Sequence, residues 1–231
     1  MRIAVVAAME EELAPFRNFY ASTVIWQKGK TIIEKVHEDL YLVISGIGKA
    51  NAAATAAWIC QQLSLDLLIN TGSIGSFRKD LPLGSIVFTD RFVYSDVDAT
   101  GFDYAYGQVP QMPADYPVSE TLLAIIKQVL TQNQISAFQG TIGTTDSFMS
   151  DELAVSAIKK AFPSLTASDM ESCALAQIAS FYEIPVINVR GISDHVGEHA
   201  PATFDDNLEF AANQAFHAVR SLIDFWQQDL S

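Results

Sequence analysis

Cysteine is scarce in this chain. There are two in 231 residues, Cys60 and Cys173, and both sit in apolar, helix-like stretches. That excludes a disulfide framework and reads as two small buried hydrophobes. Basic residues are also few, 14 Lys and Arg against 27 Asp and Glu, for a formal net charge of −13. A surface that tracks nucleic-acid phosphates needs the opposite balance, so the charge is read as serving solubility. Only 18% of residues are charged and 49% are hydrophobic, which excludes disorder and allows a sizeable core. No uninterrupted apolar run is long enough to span a bilayer. The polar run Met9-Glu10-Glu11-Glu12 comes too early for a signal peptide. Linkers, repeats and low-complexity stretches are missing too. A soluble cytoplasmic protein with one domain over residues 1–231 is expected.

What is present is an alternation. Strands are expected at 2–6, 40–45, 67–71, 85–94, 141–145 and 186–191, and helices at 10–20, 49–63, 119–132, 152–161, 170–181 and 204–228. Residues 31–36 are expected to pair with 40–45 as a hairpin through His37-Glu38-Asp39. Alternating elements of this kind imply an α/β layer architecture. The continuous apolar runs imply strands covered on both faces. One long segment, 95–117, has poor periodicity and is rich in Gly, Pro, Tyr and Asp. Such a loop is usually functional or covered by a partner.

Three acids stand at the mouths of apolar segments: Glu12 after Ile3-Ala4-Val5-Val6, Glu171 at the start of a helical stretch, and Asp194 after Pro185-Val186-Ile187-Asn188-Val189. Ligands of open α/β sheets bind outside the carboxyl ends of strands, where acids from distant parts of the chain can meet. Each acid also has a plainer reading. Glu10, Glu11 and Glu12 suit the positive end of a helix, as does Glu171, and Asp194 suits a helix cap. Spacing alone favours core packing for Phe148. Gly46, Gly48, Gly72 and Gly75 mark two turns after apolar strands, and neither turn completes a nucleotide-binding fingerprint. His195-Val196-Gly197-Glu198-His199 matches an inverted zinc-site pattern. Gly197 and Pro201 oppose the helix such a site needs, so no metal is expected.

The three acids, together with Ser45-Gly46-Ile47-Gly48-Lys49, Asn70-Thr71-Gly72-Ser73, Tyr104-Ala105-Tyr106-Gly107-Gln108 and Arg190-Gly191-Ile192-Ser193-Asp194, resemble the 5'-methylthioadenosine/S-adenosylhomocysteine nucleosidases of the purine nucleoside phosphorylase superfamily. The order and spacing of these motifs over nearly the whole chain carry the resemblance. It implies a three-layer α/β sandwich built on a twisted mixed β-sheet flanked by helices. It also implies hydrolysis of an N-glycosidic bond to adenine and a 5-thio-ribose, with no cofactor or metal.

Roles follow from the same resemblance. Asp194 would protonate the purine at N7, with Ser193 beside it, and Glu12 would activate the attacking water. Glu171 would bind the ribose hydroxyls and stabilise developing cationic character, with Met170 packed against the sugar. Phe148 would stack on adenine and the backbone of Met149 would read its edge; Ser73 and Gly75 complete the substrate contacts. Met9, Ile47 and Phe204 resemble the apolar wall around the 5'-alkylthio group. Phe102 and Pro110 match positions that a partner subunit contributes, so a homodimer is implied. Asp169, Thr145 and Met149 depart from the usual Glu, Gly and Ile or Val. Two other classes stay open: a nucleoside phosphorylase, which needs phosphate-binding cations, and a non-catalytic nucleoside binder. A preference for another 5'-modified adenosine also stays open.

Overall fold

The computed structural model describes residues 1–197 and 199–228. In chain order its elements are β1 (Ile3–Ala7), α1 (Glu10–Phe19), β2 (Thr23–Lys28), β3 (Thr31–His37), β4 (Leu40–Ile44), α2 (Lys49–Gln62), β5 (Leu67–Ser76) and β6 (Ile86–Tyr94). A 3-10 turn (Thr100–Phe102) follows, then β7 (Tyr116–Pro117), α3 (Glu120–Gln132), β8 (Ala137–Thr144), α4 (Glu152–Ala161), β9 (Leu165–Asp169), α5 (Ser172–Ser180), β10 (Val186–His195) and α6 (Ala200–Gln228).

β1 lies between β4 and β5, parallel to both, and all its residues are fully buried. A strand with no exposed side chain must be covered on both faces, because successive side chains alternate. Helices provide the cover: α1 and α6 pack together and against the sheet, and α2 packs on α5. Phe16 of α1 meets Phe216 of α6 edge to face, with ring centroids 5.0 Å apart. Truncating such a buried ring to Ala costs about 3–5 kcal/mol. The result is the expected mixed sheet flanked by helices.

The sheet does more than lie flat. β5 pairs with β9, β9 with β8, β8 with β6, β6 with β10, and β10 with β5 again. Five strands therefore close into a ring. Ile74, Val87, Ile142, Ala167 and Ile192, one from each strand, cluster with Leu81, as side chains pointing into the ring must. The path β1-β4-β3-β2 extends from β5 as an open sheet. It ends on the largely exposed strand β2, where Trp26 stacks on Trp58 of α2 at 4.2 Å.

Several boundaries differ from expectation. β5 continues through Gly72 and Gly75 to Ser76, so these glycines lie within a strand rather than in a turn after it. β10 likewise runs on to His195, which places Asp194 inside a strand and not at a helix cap. β9 was not expected, because Leu165-Thr166-Ala167-Ser168-Asp169 is not an apolar run; its polar residues are satisfied inside the fold. β2 was missed too, since Thr23-Val24-Ile25-Trp26-Gln27-Lys28 sits on an exposed edge and lacks a buried pattern. Segment 95–117 is not all loop, as Tyr116–Pro117 pairs with β6. The β3–β4 hairpin forms as expected.

Candidate active site

The carboxyl ends of β1, β5, β9 and β10 surround a cavity of about 290 Å³. The size suits a small organic ligand. Met9, Glu12, Ile47, Ser73, Gly75, Phe148, Met149, Met170, Glu171, Ser193, Asp194 and Phe204 all line it. Every same-chain residue to which the resemblance assigns a catalytic or substrate-binding role is thus brought to one place. Phe102 and Pro110 lie elsewhere on the exposed 95–117 segment, and Phe102 is 81% exposed. Phe148 is 41% exposed at the cavity mouth, so the core reading that its spacing favoured is corrected.

Glu12 sits in the first turn of α1 and points back over the end of β1. Its Oε2 accepts from the amides of Ala8 and Met9 at 3.0 and 3.2 Å. Its Oε1 accepts from the amide and hydroxyl of Ser73, both at 2.8 Å. Glu12 therefore stands at a helix start and lines the cavity as well. Gly72 lets β5 pass beside it. Its φ is +127°, and a Cβ there would lie 2.8 Å from Oε2 and nearer still to Oε1. Only glycine meets both conditions.

Glu171 immediately precedes α5. Its Oε1 accepts from the amide of Gly48 at 2.9 Å, and its Oε2 lies 3.3 Å from Nη2 of Arg190. Burial, opposed by Arg190 and reinforced by Asp169 and Glu12, pushes the Glu171 carboxyl up to about 7. Asp194 lies beside a β-bulge between Ile192 and Asp194, which turns both Ser193 and Asp194 toward the cavity. Ser193 Oγ donates to Asp194 Oδ1 at 2.8 Å. Desolvation raises the Asp194 pKa above the ordinary carboxylate value, against the lowering effect of Ser193. A carboxyl whose pKa is raised beside a partly apolar cavity is better suited to proton donation than an ordinary exposed one.

Sequence reasoning quoted Arg190 inside a motif and missed its place. It is 2% exposed and sits beneath the acids. Its Nη2 is 3.4 Å from Asp169 and 3.3 Å from Glu171, and its Nη1 is 3.9 Å from Glu12. Nε and Nη2 also donate to the side-chain oxygens of Asn188 and Asn70, and Nη1 to the carbonyl of Ser73. One buried cation thus compensates three carboxylates. The signal was available: an Arg within Val186-Ile187-Asn188-Val189-Arg190 must be paired when its strand is buried.

Asp169, the departure from the usual Glu, accepts from Thr144 Oγ1 at 2.7 Å and from the amide of Ser172. It belongs to the polar support beneath the cavity. The oxygen of Met149 accepts from the amide of Gly197 at 2.8 Å. Among the described residues, no group of three or more side chains suited to a metal occurs. His195 Nε2 bonds the carbonyl of Leu81 at 2.9 Å and His199 is exposed, while Glu198 lies outside the described residues.

The class of this chain is the phosphorylase superfamily, whose family model matches residues 2–224. Sequence similarity is narrower. A 5'-methylthioadenosine/S-adenosylhomocysteine nucleosidase from a Geobacillus species is 37% identical over 99% of this chain and 100% of its own. The nucleosidase of that name from Neisseria meningitidis, solved with methylthio-immucillin-A, is similar at a TM-score of 0.91 and 33% identity, over 96% of this chain and 98% of its own. Futalosine hydrolase of Helicobacter pylori is similar at a TM-score of 0.91 and 25% identity, over 97% of each chain. The chain belongs to the 5'-methylthioadenosine/S-adenosylhomocysteine nucleosidase family within that superfamily.

Proposed function

We propose that this protein hydrolyses the N-glycosidic bond of 5'-methylthioadenosine and S-adenosylhomocysteine, releasing adenine and the 5-thio-ribose. The observation that carries the reading is one cavity lined by Asp194, whose pKa burial raises, together with Glu12 and Glu171. Asp194 protonates N7 as the C1'–N9 bond breaks, so the bonding electrons leave with a neutral adenine. The ribosyl residue gains cationic character, and Glu171 stabilises it. Glu12 takes a proton from the water that then attacks C1'. Phe148 stacks on the purine; Met9, Ile47 and Phe204 enclose the 5' substituent.

Hydrolysis is favoured over phosphorolysis by the charge of the site. Arg190 is the only cationic side chain lining the cavity among the described residues, and its donors are directed at Ser73, Asn70, Asn188 and Glu171. An incoming phosphate would meet Glu12 rather than a free cation. The test is adenine release from a panel of 5'-modified adenosines, with and without phosphate. A turnover that requires phosphate would overturn the reading. The likeness to futalosine hydrolase supports a second reading, a preference for another 5'-modified adenosine, and the same panel separates the two.

The proposed setting is the cytoplasm, in the salvage of methyl-donor products. Among the described residues, no helix is long and apolar enough to cross a membrane. The proposed assembly is a two-fold homodimer in which Phe102 and Pro110 of one subunit close the alkylthio end of the other's cavity. The exposure of Phe102 supports it, as does Tyr106, 38% exposed on the same segment.

A further inference from the structure

The start of α2 is tied to the cavity from both sides. Two successive backbone amides there each receive a carboxylate: Gly48 N–H donates to Glu171 Oε1 at 2.9 Å, and Lys49 N–H donates to Asp146 Oδ1 at 2.8 Å. The Lys49 ammonium then reaches Asp96, at 2.8 and 2.7 Å from its two oxygens, and lies 3.8 Å from Asp146 Oδ2. Asp96 in turn accepts from the amide of Asp146 at 3.0 Å. The ammonium also sits 5.4 Å from the centre of the Tyr94 ring. Three segments meet at this knot. Ile47 lies two residues before Lys49, and Phe148 two residues after Asp146, and both stand half exposed at the cavity mouth.

We propose that Lys49, Asp96 and Asp146 form a clamp that holds the Phe148 wall against the Ile47 turn, and so positions the purine platform of the cavity. The inference rests on the hydrolytic reading for its substrate and extends it to residues that never touch that substrate. The physical reason is charge balance. Asp96 and Asp146 face one ammonium, and Asp96 also holds the Asp146 backbone amide; without the cation the two carboxylates repel each other. The segment that carries Phe148 lies at the cavity mouth, with Phe148 itself 41% exposed. Within it, the amide of Ser147 donates to Thr145 Oγ1 at 3.1 Å and the amide of Ser150 to the carbonyl of Phe148 at 2.9 Å. Glu171 is spared, because its bond is to a backbone amide that no side-chain change at position 49 removes.

The clamp is tested with 5'-methylthioadenosine as substrate and adenine as an equilibrium probe. Lys49→Met should raise KM on the order of tenfold and weaken adenine binding by a similar factor, with kcat within about twofold. Lys49→Arg should stay near wild type. Lys49→Met combined with Asp146→Asn should recover most of the loss, since the repulsion is gone. Asp96→Asn, which weakens the pair without setting two acids against each other, should raise KM about threefold. It covers the case in which Lys49→Met does not fold. The side chains are partly exposed, 23% for Lys49 and 26% for Asp96, so high salt should raise the wild-type KM and lower that of Lys49→Met, where it screens the two acids from each other. An unchanged KM and adenine affinity in Lys49→Met overturns the clamp. So does a fall in kcat at constant KM, or a double variant no better than the single one. A wild-type protein that binds adenine but releases none from the nucleoside overturns the hydrolytic reading instead, and the clamp is then judged on adenine affinity.

Discussion

Gly72→Ala is a single methyl addition on which the architecture of the site makes a sharp demand. The new Cβ would lie 2.8 Å from Glu12 Oε2 and closer to the rest of that carboxylate, at a backbone φ of +127°. Two costs are separable. The backbone conformation alone costs about 1–3 kcal/mol for a residue with a side chain. Moving the carboxylate weakens its bonds to the Ser73 amide and hydroxyl, both at 2.8 Å, and a hydrogen bond to a charged group is worth about 1.5–3 kcal/mol. The expected loss of stability is therefore about 3–5 kcal/mol. In a Glu12→Ala background the obstacle is absent, and the same substitution should cost only the backbone share. A double-mutant cycle by chemical denaturation should give a coupling of about 2 kcal/mol between positions 12 and 72. Adenine release by Gly72→Ala should fall at least about a hundredfold, since the base is displaced from its water. Equal stability costs in both backgrounds, or turnover near wild type, would refute the reasoning.

Asp194→Asn should lose turnover by about a hundredfold to ten-thousandfold while still binding nucleoside, and Glu12→Gln should behave alike; near-normal adenine release in either sinks the assignment. Glu171 has a folded-state pKa of about 7, raised from 4.5 by burial, so it binds its proton more tightly folded than unfolded. Its stabilising share is complete below about 4.5 and is lost as pH rises through about 7, so denaturation of Glu171→Gln should show a flatter pH dependence across that window than wild type. His199→Ala should keep activity and chelators should not inhibit; zinc lost together with activity would reverse this. Phe102→Ala should weaken binding of 5'-methylthioadenosine more than binding of adenine, and a light-scattering mass of one chain for the fully active protein would refute the shared pocket.

The sequence alone determined much of this protein, because local patterns carry local physics. The runs Ile3-Ala4-Val5-Val6 and Leu67-Leu68-Ile69 are apolar on both faces, which fixes them as central strands. The helix expected at 119–132 forms over Glu120–Gln132, with the Ser119 hydroxyl accepting from the amide of Leu122 at 3.3 Å. Glu12, Glu171 and Asp194 stood out because their motifs have a recognisable order. The ring closure was not legible, since it depends on β10 pairing with both β5 and β6, and such pairings leave no trace in any one segment. β9 and the far ends of β5 and β10 were missed for a related reason: their glycines and polar residues are tolerated only where the folded site satisfies them. Gly72 reads as a turn until Glu12 is placed beside it, and Arg190 reads as part of a motif until three acids surround it. The tertiary structure decided what is charged, shared and crowded in the cavity, because these properties belong to groups far apart in the chain and close only after folding.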